Sequence, residues 1–119
     1  MLADPQSFDT AADAAVSLPA TSRGDNRSVY TSADGLLKMT VSHSYGNRIR
    51  RMFRIDETQV AEDPVSGASA PVTMSMYLVV DEPLWGFSDA EILDVWTGFF
   101  GLLNASSYAA MNSFIAGES

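Results

Sequence analysis

From Leu37 the chain alternates between apolar and polar positions. Leu37, Met39, Val41 and His43 are separated by Lys38, Thr40, Ser42 and Ser44, the period-two pattern of a strand with one face buried. Tyr45-Gly46-Asn47 reads as a turn, and the chain returns as a second strand over 48–60. In that strand Ile49, Arg51, Phe53 and Ile55 share one side, and Arg48, Arg50, Met52, Arg54 and Asp56 the other. The stretch 72–80 alternates again, with Val72, Met74, Met76, Leu78 and Val80 opposite Thr73, Ser75, Tyr77 and Val79. Between these strands, "EDPVSGASAP" at 62–71 has the proline, glycine and serine content of a loop. Upstream, 28–32 is a shorter strand closed by Asp34-Gly35, and 1–27 holds β-compatible islands at 6–10 and 15–18 that predict an N-terminal hairpin.

At Ser88 the period changes. "SDAE" is a capping box, in which the Ser88 hydroxyl accepts from the Glu91 amide and the Glu91 carboxylate reaches back. A helix follows to about Leu103, apolar over most of its circumference and interrupted only by Asp94, Thr97, Gly98 and Gly101. Asn104 ends it, and Ser106 or Ser107 caps a shorter helix from Tyr108 to Ala116, closed by Gly117. Strands followed by helices make one α+β domain over 1–119: hairpin at 1–27, sheet at 28–83, two helices at 88–117.

Composition narrows the function. The chain has 119 residues, 46% of them hydrophobic and 18% charged, as expected of a single folded domain. Its longest apolar run is too short to span a bilayer, which takes about 20 residues, and no secretion signal is visible. No cysteine and one histidine leave no thiolate or histidine-rich metal site and no catalytic triad, so neither cofactor, metal nor enzymatic activity is expected. The pairs Asp56-Glu57, Glu62-Asp63 and Asp81-Glu82 read as solvated acids.

The formal charge is −8, yet four of the seven basic residues, Arg48, Arg50, Arg51 and Arg54, fall in one short stretch, and nothing beyond Arg54 is basic. The polar side of the sheet therefore collects Lys38, Thr40, Ser42, Ser44, Arg50, Met52, Arg54, Thr73, Ser75 and Tyr77. Cations neutralise phosphates, hydroxyls bond sugars and base edges, and an aromatic ring stacks on an unpaired base. The same set is also what a plain solvated sheet face carries. The apolar side needs a cover, for which the C-terminal helices are the only candidates. Trp96, Phe99, Phe100, Leu103, Tyr108 and Met111 either fill an ordinary core or lie across a partner subunit's sheet. Gly98 and Gly101 each weaken a helix interior by about 1 kcal/mol, and close approach of another backbone is a reason to keep them. His43 falls on the buried side as a core histidine, and Arg51 shares that apolar parity without a partner that spacing identifies.

The succession of an N-terminal hairpin, "LLKMTVSHS", "RIRRMFRID", "PVTMSMYLVV", "GFSDAEILDVWTGFFGLL" and "ASSYAAMNSFIAGE" resembles the coat proteins of the small single-stranded RNA bacteriophages, the leviviruses. The resemblance covers 5–118. It implies a hairpin, a five-stranded antiparallel sheet and two helices that cross over the sheet of a dimer partner. Such dimers build an icosahedral, T=3-like shell around genomic RNA, with sheets facing inward and the loop before the last strand varying between quasi-equivalent positions. The implied place is the virion, assembled in the host cytoplasm; the implied partners are a second copy and single-stranded RNA, with no membrane. The family's dimers also bind an RNA hairpin at the replicase start, which would add translational repression. Lys38, Thr40 and Ser42 match its Lys-x-Thr-x-Ser strand, Arg50 and Arg54 its two lysines, and Asp56 its glutamate. Met52 replaces a threonine, and Tyr77 stands at a shifted position without the asparagine that follows the family's stacking tyrosine. General RNA contact is thus implied more directly than recognition of a specific hairpin. A non-capsid, dimeric, cytoplasmic RNA-binding regulator is the alternative, and a small α+β enzyme a third reading that no constellation of acids and bases supports.

Overall fold

Alternation of this kind folds into two sheets. In the computed structural model, which describes residues 2, 4–8 and 16–118, strands β1 (Gln6–Phe8) and β2 (Val16–Leu18) form a two-stranded antiparallel hairpin. Strands β3 (Ala20–Gly24), β4 (Arg27–Thr31), β5 (Leu37–Tyr45), β6 (Arg48–Glu62) and β7 (Ser69–Pro83) form a five-stranded sheet in sequential order. The parts of the expected hairpin islands at 9–15 lie outside the described residues. The chain divides into two compact units, Met1–Glu82 and Pro83–Ser119.

The five-stranded sheet starts at Ala20, not at 28. β3 escapes the pattern because it is an edge strand of small and polar residues, and a bulge between Ala20 and Ser22 breaks its register. Thr21 sits at that bulge and bonds the Val29 carbonyl at 3.3 Å and the Thr31 hydroxyl at 3.0 Å. The β4–β5 connection is tied by Asp34, whose carboxylate accepts from the Ser32 hydroxyl at 2.6 Å and the Leu36 amide at 3.0 Å. Those two bonds, the Ser32 one foremost, hold the Asp34 carboxyl below its usual range. Gly35 takes φ +74° there, which a Cβ would resist. β6 and β7 run on to leave a shorter loop, 63–68, than the 62–71 expected. Asp63 closes it by accepting from the Val65 and Ser66 amides.

The core lies on the apolar side of the sheet. Leu18, Tyr30, Leu37 and Met39 are buried together, with Phe8, Val16, Ala20, Val41 and Ile55 packed around them. The hairpin thus covers the β4–β5 end of that face, which corrects the expectation that only the helices could. Toward β6 and β7 the same face is open: Phe53, Val72, Met74 and Met76 are all exposed. Arg51 finds its partner here in Glu82, through Nε at 3.1 Å and Nη2 at 3.0 Å to one carboxylate oxygen. A third nitrogen, Nη1, lies 3.2 Å from His43 Nδ1, and the guanidinium sits 6.0 Å from the Tyr45 ring centre. Burial lowers the pKa of the Arg51 guanidinium, but the bond to Glu82 and the Glu82 and Tyr45 charges outweigh it and raise the pKa above its usual value.

The second unit is built on one helical element, α1 (Asp89–Ile115). Its start is the expected capping box: the Glu91 amide donates to Ser88 Oγ at 3.2 Å, and the Ser88 amide donates to the Glu91 carboxylate at 3.4 Å. Its end is a Schellman closure, with the Gly117 amide on the Phe114 carbonyl and the Glu118 amide on the Ser113 carbonyl, both 3.0 Å. The two expected helices are present, joined across a break at 105–108 that lacks the serine N-cap expected for the second. Ala105 is extended, and Ser106, Ser107 and Tyr108 take left-handed φ of 54°, 58° and 64°. An N-cap serine would be in the extended region instead. No residue of α1 is buried, although Leu93, Val95, Phe99, Phe100 and Leu102 line it.

Candidate nucleic-acid interface

Residues directly opposite on paired strands share a face, so the register assigns each side chain. Along β5 and β6, Lys38 faces Asp56, Thr40 faces Arg54, Ser42 faces Met52 and Ser44 faces Arg50. β4 adds a row that periodicity had not assigned, with Arg27 opposite Ser42, Val29 opposite Thr40 and Thr31 opposite Lys38. Side-chain bonds join β7 to the same face: Thr73 to Thr58 at 2.9 Å, Ser75 to Arg54 at 3.4 Å, and Ser75 to Asp56. The sequence-derived polar set from Lys38 to Tyr77 is thereby gathered on one side of one sheet.

Its members are not equally available. Lys38, Ser44, Arg50 and Thr73 are exposed, and Ser42, Met52, Arg54 and Ser75 are half-buried. Thr40 is only 3% exposed between Val29 and Arg54, so it supports its neighbours rather than meeting a ligand directly. The centre of the face is a network. Arg54 Nε donates to Asp56 Oδ1 at 2.8 Å, and its guanidinium lies 4.9 Å from the centre of the Tyr77 ring. Burial pushes the Asp56 carboxyl up, but bonds from Ser75 and Arg54, with the charges of Arg54 and Lys38, outweigh it and hold the group below its usual range. Tyr77 is 57% exposed, so this arginine-backed ring remains accessible. Arg48 is matched by Asp81 at 2.9 Å, so both Asp81 and Glu82 are ion-pair partners and not free solvated acids.

The expected dimer residues lie on α1. Trp96 packs its ring 6.2 Å from Phe99 and 5.7 Å from Phe100; these three and Tyr108 are exposed, while Leu103 and Met111 are half-buried. A Cβ at Gly98 or Gly101 would meet nothing within 4 Å, so the helix leaves room there for another backbone. Among the described residues no cluster of histidines and carboxylates could hold a metal ion, and no helix is long and apolar enough to cross a membrane.

No known family profile matches the sequence, and neither does any curated protein. Solved structures do match. A virus-like particle of bacteriophage AVE019 superposes with a TM-score of 0.76 over 89% of this chain and 90% of the other, at 9% identity. The chain has the coat-protein fold of RNA bacteriophages. A virus-like particle of Beihai levi-like virus 21 shares that fold, with a TM-score of 0.70 over 94% and 91% of the two chains at 15% identity. So does an unassembled bacteriophage coat protein described as an RNA-binding dimer, with a TM-score of 0.53 over 95% and 94% at 15% identity. These neighbours are coat proteins rather than enzymes, in keeping with the resemblance read from the sequence.

Proposed function

We propose that this chain is a capsid subunit that dimerises, builds an icosahedral T=3-like shell and encloses single-stranded RNA against the polar face of its sheet. The observation that carries the reading is a double exposure of apolar surface on a coat-protein fold. α1 buries none of its residues, and the β6–β7 end of the sheet's apolar face exposes Phe53, Met74 and Met76. Apolar area of this extent marks an interaction surface, and a second copy supplies both complements at once, its helix for the sheet and its sheet for the helix. Trp96, Phe99, Phe100, Leu103, Tyr108 and Met111 then form the dimer contact. On the opposite side of the sheet, Lys38 and Arg50 supply cations for phosphate, Ser42, Ser44, Thr73 and Ser75 supply hydroxyls, and Tyr77, backed by Arg54, a stacking ring. Assembly in the bacterial cytoplasm and residence in the virion follow from the same reading. Loop 63–68 suits contacts that differ between shell positions, with Val65 exposed at its tip.

The test is electron microscopy of the protein expressed alone, with the 260/280 nm absorbance ratio of the purified material. Uniform shells with excess absorbance at 260 nm are expected. Small RNA-binding dimers without shells at low and high salt would instead support a regulatory RNA-binding protein.

A further inference from the structure

Which side chains meet phosphate depends on which cations on the polar face are not already matched by a carboxylate. Arg54 is held by Asp56 at 2.8 Å and Arg48 by Asp81 at 2.9 Å. Lys38 stands opposite Asp56 and contributes to holding that carboxylate ionised. Among the described residues, two further cations on this face have no acid within ion-pair distance. One is Arg50 on β6; the other is Arg27, at the start of β4.

The register relates the two. Arg27 is opposite Ser42 on β5, and Arg50 is opposite Ser44 on the same strand. They therefore stand diagonally across β5, two strand spacings (about 10 Å) and two residues (about 7 Å) apart, with the two serine hydroxyls between them. Both arginines are exposed. Arg23, on the neighbouring strand, is the contrast: it is opposite Ser28 on the other face, and its guanidinium lies 5.5 Å from the Tyr30 ring centre.

We propose that Arg27 is a phosphate-contacting residue of the RNA interface, working with Arg50 to carry the backbone of a single strand obliquely over Ser42 and Ser44. Arg54, its charge already matched, backs the Tyr77 ring on the base side of the same strand. The inference rests on the RNA-binding reading above and adds β4 to it.

The experiment is binding of a short labelled oligouridylate to the full-length protein and its variants, followed by fluorescence anisotropy from about 50 to about 200 mM salt. One lost phosphate contact to a single strand lowers the slope of log affinity against log salt by about 0.7, or roughly 2.6-fold less weakening over that range. Arg27→Ala and Arg50→Ala are each expected to show that loss, whereas Arg27→Lys and Arg23→Ala keep the wild-type slope. A wild-type slope for Arg27→Ala beside a reduced one for Arg50→Ala would remove Arg27 from the interface and leave the RNA reading standing. An equal loss for Arg23→Ala would overturn the assignment of the face. Failure of the wild-type protein to bind the oligonucleotide at the lowest salt would overturn the RNA reading itself.

Discussion

The Arg51–Glu82 pair gives a prediction whose size the structure fixes. The Glu82 side chain is 10% exposed and accepts two Arg51 N–H groups on one oxygen, while the Arg51 side chain is 38% exposed. Removing one member of a fully buried pair costs about 3–5 kcal/mol, because a charge is left buried and unpaired. A surface pair contributes about 0–1 kcal/mol. Here water reaches the arginine but barely the carboxylate, so Arg51→Met should destabilise by about 2 kcal/mol, between those limits. Glu82→Leu leaves a guanidinium that can rehydrate and should cost about 1 kcal/mol. The double variant replaces both charges with apolar groups on an apolar face and should also cost only about 1 kcal/mol, giving a coupling energy of about 2 kcal/mol. The assay is urea unfolding of the four proteins at one fixed concentration, because association shifts apparent stability by mass action. Additivity within about 0.5 kcal/mol would refute the argument. So would an Arg51→Met variant as stable as the wild type.

Phe99 is 52% exposed in the single chain. Burying the remaining ~100 Å² against a second copy is worth about 2.5 kcal/mol per subunit. Phe99→Ala should therefore weaken dimers by more than 100-fold, roughly, over the two sites, and Phe99→Asp should abolish soluble dimer. Sedimentation equilibrium reads both, and wild-type dimer affinity in Phe99→Ala would contradict the swapped-helix contact. Asp56 carries a pH signature. Its carboxyl is held lower in the folded protein than in the unfolded chain, so its stabilising contribution is complete above the usual carboxylate value of about 3.9 and is lost as pH falls through the lower folded value. Asp56→Asn should be less stable than wild type at neutral pH, with the gap closing below about pH 4. A gap that stayed constant from pH 6 to the acid limit of folding would count against the Arg54–Asp56–Ser75 network as its source.

The strands of the candidate site were legible because side-chain alternation is a local property. Once Leu37 to Ser44 and Arg48 to Asp56 alternate, backbone geometry alone decides which residues share a side, and pairing Thr40 with Arg54 or Ser44 with Arg50 only joins sides already defined. The same holds for the helix start, where Ser88 and Glu91 satisfy amides within one turn. β3 was not legible, since a short polar edge strand with a bulge has no alternation to read.

The sequence by itself therefore determined the two chemistries of the sheet, the change of period at Ser88 and the concentration of arginine before an acidic remainder. Only the tertiary structure decided how those parts are used. It seated Phe8, Val16 and Leu18 on Tyr30 and Met39, so that the hairpin closes one end of the core. It enclosed Thr40 between Val29 and Arg54, gave Arg51 to Glu82 and Arg54 to Asp56, and left Arg27 and Arg50 without an acid within ion-pair distance. The physical reason is one of range. Alternation and capping act over a few residues, whereas burial and charge compensation depend on which distant strands end up side by side, and a partner for Arg51 lies 31 residues away.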